Sequence, residues 1–390
     1  MTKTIAFMLL LAPAFAAAAD KAPGNTDTPD CSVLTGAAPK TAAEYSCRGA
    51  GYSVKGDYDK AIADYSKAIA LDLKLADAYA GRSAAYRSKG DNAKAIEDSS
   101  KAIELDPGFA RFYQDRGAAY SAKGDQALAL GDFSKAIELE PGSAWAYAGR
   151  GGVFRAKGEY KKAIADYSKA LELDPRHVQA CSGRGAAYYD SDKYDKALAD
   201  YSKAIELDPK APGGYHDRGS IYSAKGEQDK AIADYSKAVE LDAAFIVAYS
   251  GRAAAYLAKG LHDKAIADYS KAIELDPRPV DAYSGRGLVY EAKGDYAKAL
   301  ADCSKAIELG PKSPDARHAR GLVYSRKGEY DKAIADLSAA IELAPKDGSL
   351  YQDRGKAYQA KGERSKALSD FSKASKKKPG CGVLTPWNCK

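Results

Sequence analysis

Residues 145–175 read WAYAGRGGVFRAKGEYKKAIADYSKALELDP, which is two apolar patterns on either side of a glycine. Both patterns space their apolar and small residues three and four positions apart, as one buried face of a helix requires. Gly158 interrupts the periodicity, and Pro175 stops the second pattern because proline cannot continue a helix. Glu159 opens the second pattern, where it would lie against the positive end of the helix dipole. The stretch therefore predicts two short helices joined by a tight turn.

The same pattern returns every 34 residues along the chain. Asp192 fills one turn position, and glycine fills the others: Gly56, Gly90, Gly124, Gly158, Gly226, Gly260, Gly294, Gly328 and Gly362. This period predicts ten copies over residues 42–381, preceded by a polar linker at 20–41 and followed by a short tail at 382–390. One hairpin cannot bury its apolar face alone, so we expect neighbouring copies to stabilise one another by stacking.

The copies resemble the tetratricopeptide repeat. The positions that match its pattern are Tyr147, Gly151, Phe154, Ala163, Tyr167 and Pro175, and only the leucine position departs, since it holds Arg150. The resemblance implies an all-α, right-handed superhelical solenoid of ten antiparallel helix pairs. It also implies that the first helix of each pair lines a concave groove and the second lies outside.

Arginine occupies the leucine position in every copy, and aspartate follows each arginine by 16 residues. Because the turn lies midway between them, the two side chains should face each other across the hairpin. We expect repeating ion pairs, among them Arg150 with Asp166 and Arg184 with Asp200. One exposed pair stabilises by only about 0–1 kcal/mol, so its expected role is to fix helix register. The alternative is a cationic ladder for acidic ligands, which the paired aspartates would neutralise.

The sequence predicts no catalytic site, cofactor or metal. A serine stands two residues after each aspartate, and we expect these serines on the solvent side of the second helices. A serine nucleophile needs a positioned base, and the chain's histidines lie in different copies without metal-ligand spacing: His177, His216, His262 and His318. Lys and Arg number 59 against 53 Asp and Glu, and their interleaving argues against a nucleic-acid-binding surface.

The cysteines are of two kinds. Cys181 and Cys303 fall in positions that hold tyrosine in neighbouring copies, so both should be buried. The other four lie near the ends of the repeats, where an exported protein would oxidise them. We expect the pairs Cys31–Cys47 and Cys381–Cys389, and the alternative is that these thiols are unpaired or pair between molecules.

The first residues, MTKTIAFMLLLAPAFAAAAD, combine a basic Lys3, a short apolar run and small residues up to Ala19. These are the features of a secretory signal peptide, residues 1–19, with cleavage after about Ala19. The alternative is an uncleaved start that anchors the chain in a membrane, although the apolar run is too short to span one. We therefore expect a periplasmic or secreted protein without a membrane span.

The groove side of the first helices is predicted to carry mostly small residues. A few larger side chains there are candidate anchors for a partner: Arg111, Gln114, Trp145, Arg155, Tyr189, His216, His318 and Arg326. Trp, Tyr and Arg dominate the binding energy of protein interfaces. The alternative for Trp145 is that it packs only on a neighbouring helix.

These features predict a non-enzymatic, exported scaffold that binds a peptide or protein partner in its groove, for example within an envelope assembly. The alternative is a carbohydrate-handling module for peptidoglycan or exopolysaccharide, with Trp145 and Tyr189 as stacking surfaces. The sequence leaves the partner's identity and the oligomeric state open.

Overall fold

The computed structural model describes residues 39–276 and 278–376, and these residues form twenty α-helices without a β-strand. The helices are α1 (Ala42–Val54), α2 (Tyr58–Leu71), α3 (Ala76–Ser88), α4 (Asn92–Leu105), α5 (Ala110–Lys123), α6 (Gln126–Leu139), α7 (Ala144–Ala156), α8 (Tyr160–Leu173), α9 (Val178–Asp190), α10 (Tyr194–Leu207), α11 (Pro212–Ala224), α12 (Gln228–Leu241), α13 (Ile246–Ala258), α14 (His262–Leu275), α15 (Val280–Ala292), α16 (Tyr296–Leu309), α17 (Pro314–Lys327), α18 (Tyr330–Leu343), α19 (Gly348–Lys361) and α20 (Arg364–Ser375). The prediction of an all-helical chain is confirmed. The expected signal peptide, most of the linker and the tail lie outside the described residues.

The chain divides into two compact units, a first unit that ends at Asp192 and a second unit that begins at Lys193. Within each unit, every helix contacts the next one along the chain. The odd-numbered helices of a unit also contact one another, whereas the even-numbered helices have at most marginal mutual contact among the described residues. In each unit the odd-numbered helices, which are the first helices of the copies, therefore form one continuous layer.

The turns follow from local backbone preferences. Every turn glycine has a positive φ, between 72° and 93°, and Asp192 takes the same conformation at φ 60°. Glycine pays no steric cost there, and aspartate tolerates the region better than most residues. Asp57, Asp91 and Asp295 then cap second helices by accepting a backbone N–H through the side chain.

In most copies the core is an aromatic ring of the second helix, held between small residues of two first helices. Tyr167 on α8 is an example. A Cβ atom on Gly151 of α7 would lie 3.2 Å from its ring, and one on Gly183 of α9 would lie 2.4 Å away. Tyr65, Phe133 and Tyr235 are held in the same way, between Gly49 and Gly81, Gly117 and Gly149, and Gly219 and Gly251. These helical glycines are kept because a ring occupies the volume that a larger side chain would need.

Cys181 and Cys303 are buried, as predicted. Cys303 occupies the ring position of its copy, where a Cβ on Gly287 would lie 2.6 Å from its Sγ, and burial raises the pKa of its thiol to about 12. Cys47 lies in α1. Cys31, Cys381 and Cys389 lie outside the described residues, so both expected disulfides stay predictions.

None of the helices in the described part of the chain has the length and apolar character needed to cross a membrane.

Gly149→Ala should lower the free energy of unfolding by about 1–3 kcal/mol, because overpacking a filled core forces neighbouring side chains to shift. The new Cβ would lie 2.4 Å from the Phe133 ring. Gly131→Ala is the control: Gly131 is exposed within α6 and its Cβ would meet nothing within 4 Å. Alanine there should stabilise by about 0.5–1 kcal/mol. Urea unfolding followed by circular dichroism measures both, and a destabilised control or a stabilised Gly149→Ala would contradict this packing.

Candidate functional site

On most first helices an arginine joins helices of two consecutive copies. Arg150 on α7 donates from Nε to Oδ2 of Asp166 on α8 at 2.7 Å, and from Nη2 to Oδ1 at 2.9 Å. Its Nη1 donates to Oγ of Ser134 on the preceding helix α6 at 3.4 Å. The centre of the Tyr147 ring lies 5.6 Å from Cζ of Arg150. One side chain thus links α6, α7 and α8.

The same three-way contact recurs in both units. The arginines that make it, besides Arg150, are Arg82, Arg116, Arg218, Arg252, Arg286, Arg320 and Arg354. Arg184 donates to Ser168 at 3.1 Å. Asp200 belongs to the other unit, so the pair of Arg184 with Asp200 stays a prediction.

The serines, expected on the solvent side of the second helices, also accept a hydrogen bond in these copies. A guanidinium that uses Nε and Nη2 on a carboxylate still has donors on Nη1, and the serine of the preceding copy accepts from it. All three nitrogens are therefore engaged within the chain. This argues against the row of repeated arginines, the arginine ladder, as a site for acidic ligands. The aspartates are largely buried, with 3–12% of the side chain exposed.

The candidate anchors of the first unit lie on α5, α7 and α9. Trp145 is 41% exposed, and its ring centre lies 4.4 Å from that of His177, which caps α9. The Arg111 side chain, at the same position of the preceding copy, is 51% exposed. Gln114 donates to Oγ of Ser143 at 3.0 Å. Trp145 and Arg111 thus present large side chains on neighbouring first helices.

The other two anchors of this unit are more enclosed. Arg155 donates from Nε to Oδ2 of Asp190 at 2.8 Å, which joins α7 to α9. Tyr189 is half-buried on α9. Their contacts favour a role in holding the layer of first helices together.

The anchors expected in the second unit differ strongly in exposure. His318 is 2% exposed, and its Nε2 lies 2.8 Å from Oδ2 of Asp353, so a partner would reach it only after neighbouring side chains had moved. His216 is half-buried, with Nδ1 3.0 Å from Oδ1 of Asp217. Arg326 has 76% of its side chain exposed, at the end of α17, and its Nε lies 3.1 Å from Oε1 of Glu291.

A buried carboxylate on α5 was missed by the sequence analysis. Asp115 is 4% exposed, and its Oδ2 makes no hydrogen bond. Burial raises the pKa of Asp115, although the charges of Arg111 and Arg87 oppose the rise. Its neighbourhood departs from the core pattern, because Ser99 stands where other copies hold a ring, hydrogen-bonded at 2.6 Å to Ser83. That departure is visible in the sequence and could have drawn attention to this place.

Asp353 occupies the position of Asp115 in a later copy, and its carboxylate is satisfied. Oδ2 lies 2.8 Å from Nε2 of His318, and Oδ1 accepts from Nζ of Lys356 at 2.8 Å. Burial alone would raise the pKa of Asp353, but the contacts with His318 and Lys356 lower it. The same side chain is thus internally partnered in one copy and left open in another.

Carboxylates also lie close together on α15 and α17. Asp315 is half-buried, and burial together with the charge of Asp281 raises its pKa. Across residues 39–276 and 278–376, no three His, Cys, Asp or Glu side chains are grouped so that they could hold a metal ion.

Comparison with known families gives repeated matches along the chain. The model described as TPR repeat matches residues 84–124, 151–192, 185–226, 219–260 and 255–294. Two models described as Tetratricopeptide repeat match residues 290–350, and residues 52–75 and 110–143. Together these matches span most of the sequence. No curated protein matches the chain.

Solved structures with a similar fold include the APC/C hetero-tetramer Cut9-Hcn1, at 16% identity and a TM-score of 0.56, over 81% of this chain and 76% of that one. A tetratricopeptide repeat protein from Parabacteroides merdae matches at 22% identity and a TM-score of 0.51, over 64% of this chain and 98% of that one. YrrB, described as a TPR protein with an unusual peptide-binding site, matches at 28% identity and a TM-score of 0.39, over 48% and 97%. The first two show the shared fold.

Arg286→Met should lower the free energy of unfolding by about 3 kcal/mol, because Asp302 would stay buried without its partner. Ser270→Ala removes only the 2.9 Å bond to Nη1 and should cost about 1 kcal/mol. The double variant Arg286→Met/Asp302→Leu should recover most of the larger loss. Denaturant unfolding measures the cycle, and additive losses in the double variant would contradict the ion pair's role.

Asp115→Asn should stabilise the protein at neutral pH, and the gain should shrink as the pH falls. A carboxyl group with a raised folded pKa contributes stability at low pH that is lost as the pH rises through that value, here above about pH 4. Asp353, whose folded pKa is lowered, contributes stability above the unfolded pKa and loses it in acid. Asp353→Asn should therefore destabilise most at neutral pH. Unfolding curves between pH 3 and 8 test both, and a gain in Asp115→Asn that does not change with pH would refute the assignment.

Proposed function

The chain belongs to the tetratricopeptide repeat family, and from that premise we propose that it is an exported scaffold that binds a peptide or protein partner along its layer of first helices. Repeats of this family serve protein–protein interaction. What is proposed beyond that is the export, the surface that binds and the class of partner.

The observation that carries the binding surface is the exposure of Trp145 and Arg111. They occupy the same position in successive copies, on the adjacent first helices α7 and α5. Burying a tryptophan and an arginine at the centre of an interface contributes more binding energy than burying other residue types. The rings, the small residues around them and the arginine ladder are used for packing between helices, so they do not account for these two exposed side chains.

Small side chains follow the two anchors by one and two turns along the same helices. Ala118, Ala148 and Gly152 are half-exposed on the same helices. A Cβ on Gly152 would approach its nearest neighbour, the hydroxyl of Tyr167, only to 3.5 Å. Such a surface lets the main chain of a bound segment come close to the helices while its larger side chains reach the anchors.

The proposal of export is supported by the amino-terminal sequence. Residues 1–19 have the charge, apolar run and small-residue end of a secretory signal peptide. An oxidising compartment would also suit the expected disulfides of Cys31 with Cys47 and Cys381 with Cys389. A periplasmic or secreted location and a place in an envelope assembly are part of this proposal. The described residues give no support to the carbohydrate alternative.

Photo-crosslinking in the native host tests the binding surface. A photoreactive phenylalanine analogue at position 145 of the full chain should capture a defined polypeptide, because the interface is expected to cover Trp145. The same analogue at Leu128, which is 54% exposed on the second helix α6, is the matched control and should not. Trp145→Ala should weaken the recovered partner's binding about tenfold or more. The mass of the chain from the same cells should match cleavage after about Ala19.

Identical crosslinks from both positions, or an unchanged affinity in Trp145→Ala, would contradict the binding surface. A mature chain that retains its first nineteen residues would contradict export without touching the binding surface.

A further inference from the structure

One place in the first unit is filled by polar side chains where most copies hold a ring. A ring of the second helix usually lies between two small residues, as Tyr65 lies between Gly49 and Gly81. In the next copy the three corresponding residues are Ser83, Ser99 and Asp115, all buried. The place of a ring in the core is thus taken by two hydroxyls and a carboxylate, which is a costly way to fill a core.

The carboxylate is not satisfied within the described chain. Oδ2 of Asp115 is buried and makes no hydrogen bond, and Nε of Arg87 on the neighbouring first helix α3 is in the same condition. Arg87 lies on α3, which contacts α5, and its charge opposes the rise in the pKa of Asp115. Arg111 has its Nε 3.7 Å from Oδ2, too long for a hydrogen bond. A buried acceptor and a buried donor are therefore left open on adjacent first helices.

In a later copy the carboxylate at this position has a hydrogen-bonding partner within the chain. Asp353 receives His318 from the preceding first helix, 35 residues earlier in the sequence. The residue at the same separation before Asp115 is Ala80, which is buried and carries no polar group. The open carboxylate is thus a property of this copy and not of the repeat.

The charges around the open pair select the chemistry of its ligand. A cation would be repelled by Arg87 and Arg111, and an anion would be repelled by Asp115. A neutral group that offers one donor and one acceptor suits both open atoms. In an extended segment the main-chain N–H and C=O of one residue point to the same side, so they can meet both open atoms. The exposed Trp145 lies on the next first helix, where it can contact a side chain of the same segment.

We propose that Asp115 and Arg87 form a subsite for the main-chain N–H and C=O of one residue in an extended segment of the partner, in which Asp115 accepts from the N–H and Arg87 donates to the C=O. The half-exposed Arg111 side chain covers the carboxylate and moves aside when the segment enters. This subsite rests on the proposed function, because it holds the same partner on the same layer of helices. The subsite fixes the register of the partner's backbone on the helices, while Trp145 contacts one of the partner's side chains.

The test uses variants that close the subsite without harming the fold. The triple variant Ser83→Gly/Ser99→Tyr/Asp115→Gly gives this copy the same three residues as Gly49, Tyr65 and Gly81. It should raise the midpoint of thermal unfolding and yet weaken peptide binding. Ala80→His is the second variant, since it would give Asp115 the internal partner that His318 gives to Asp353. Leu128→Ala, on the opposite helix layer, is the control and should change neither property.

The probes are dodecapeptides selected from a random phage-displayed library on the immobilised full chain, then synthesised with each main-chain amide N-methylated in turn. In the wild-type protein, methylation at one position should weaken binding about tenfold or more, because it removes the N–H that Asp115 accepts. In the triple variant the unmethylated peptide should bind about tenfold more weakly, and methylation at that position should change its affinity less than twofold.

The outcomes separate this subsite from the proposed function. If peptides bind the triple variant as tightly as the wild type, or if no position is sensitive to methylation, the subsite is overturned while groove binding stands. In that case a buried water serves the open pair. If the library yields no peptide that binds the wild-type chain, the proposed function itself fails.

Discussion

The fit of one aromatic ring between two small residues is the constraint on which the rest of the structure depends. The Tyr167 ring leaves no room for a side chain at Gly183 of the next first helix, where a Cβ would lie 2.4 Å away, and packs tightly on Gly151 of its own hairpin, where a Cβ would lie at 3.2 Å. Each ring therefore belongs to two copies at once. Since a hairpin provides only half of a ring's surroundings, it has no complete core of its own, and stability comes from the contact between successive copies.

The arginine ladder also joins successive copies, through hydrogen bonds between polar groups. Arg286, for example, satisfies the buried Asp302 within its hairpin and reaches Ser270 of the preceding copy. Hydrogen bonds require closer alignment than apolar packing does, so this contact fixes how one hairpin is placed on the previous one. Because both ring and ladder are used internally, the surface that remains for a partner is limited to the side chains that neither contact needs.

The repeat period was enough to predict the helices, their turns and the burial of Cys181 and Cys303. It also placed Arg150 opposite Asp166, because both lie in one hairpin and their separation can be counted. The bond to Ser134 could not be counted in this way, since it depends on how the preceding copy is stacked. The exposure of the anchor side chains could not be predicted from the period either. His318 and Trp145 were both predicted as anchors, yet His318 is buried against Asp353 and Trp145 is exposed. The unusual surroundings of Asp115 could have been predicted from the sequence, because polar residues there replace a ring and its glycines.

A deletion of one whole period tests the central claim, that contacts between successive copies build the fold. Removal of residues 246–279 joins Phe245 to Val280 and brings Gly285 to the ring of Tyr235 in place of Gly251, and Arg286 to Ser236 in place of Arg252. Circular dichroism of this shortened chain should show an unchanged helical signal per residue and a cooperative loss of that signal on heating. A collapse of the helical signal after this in-register deletion would contradict the claim.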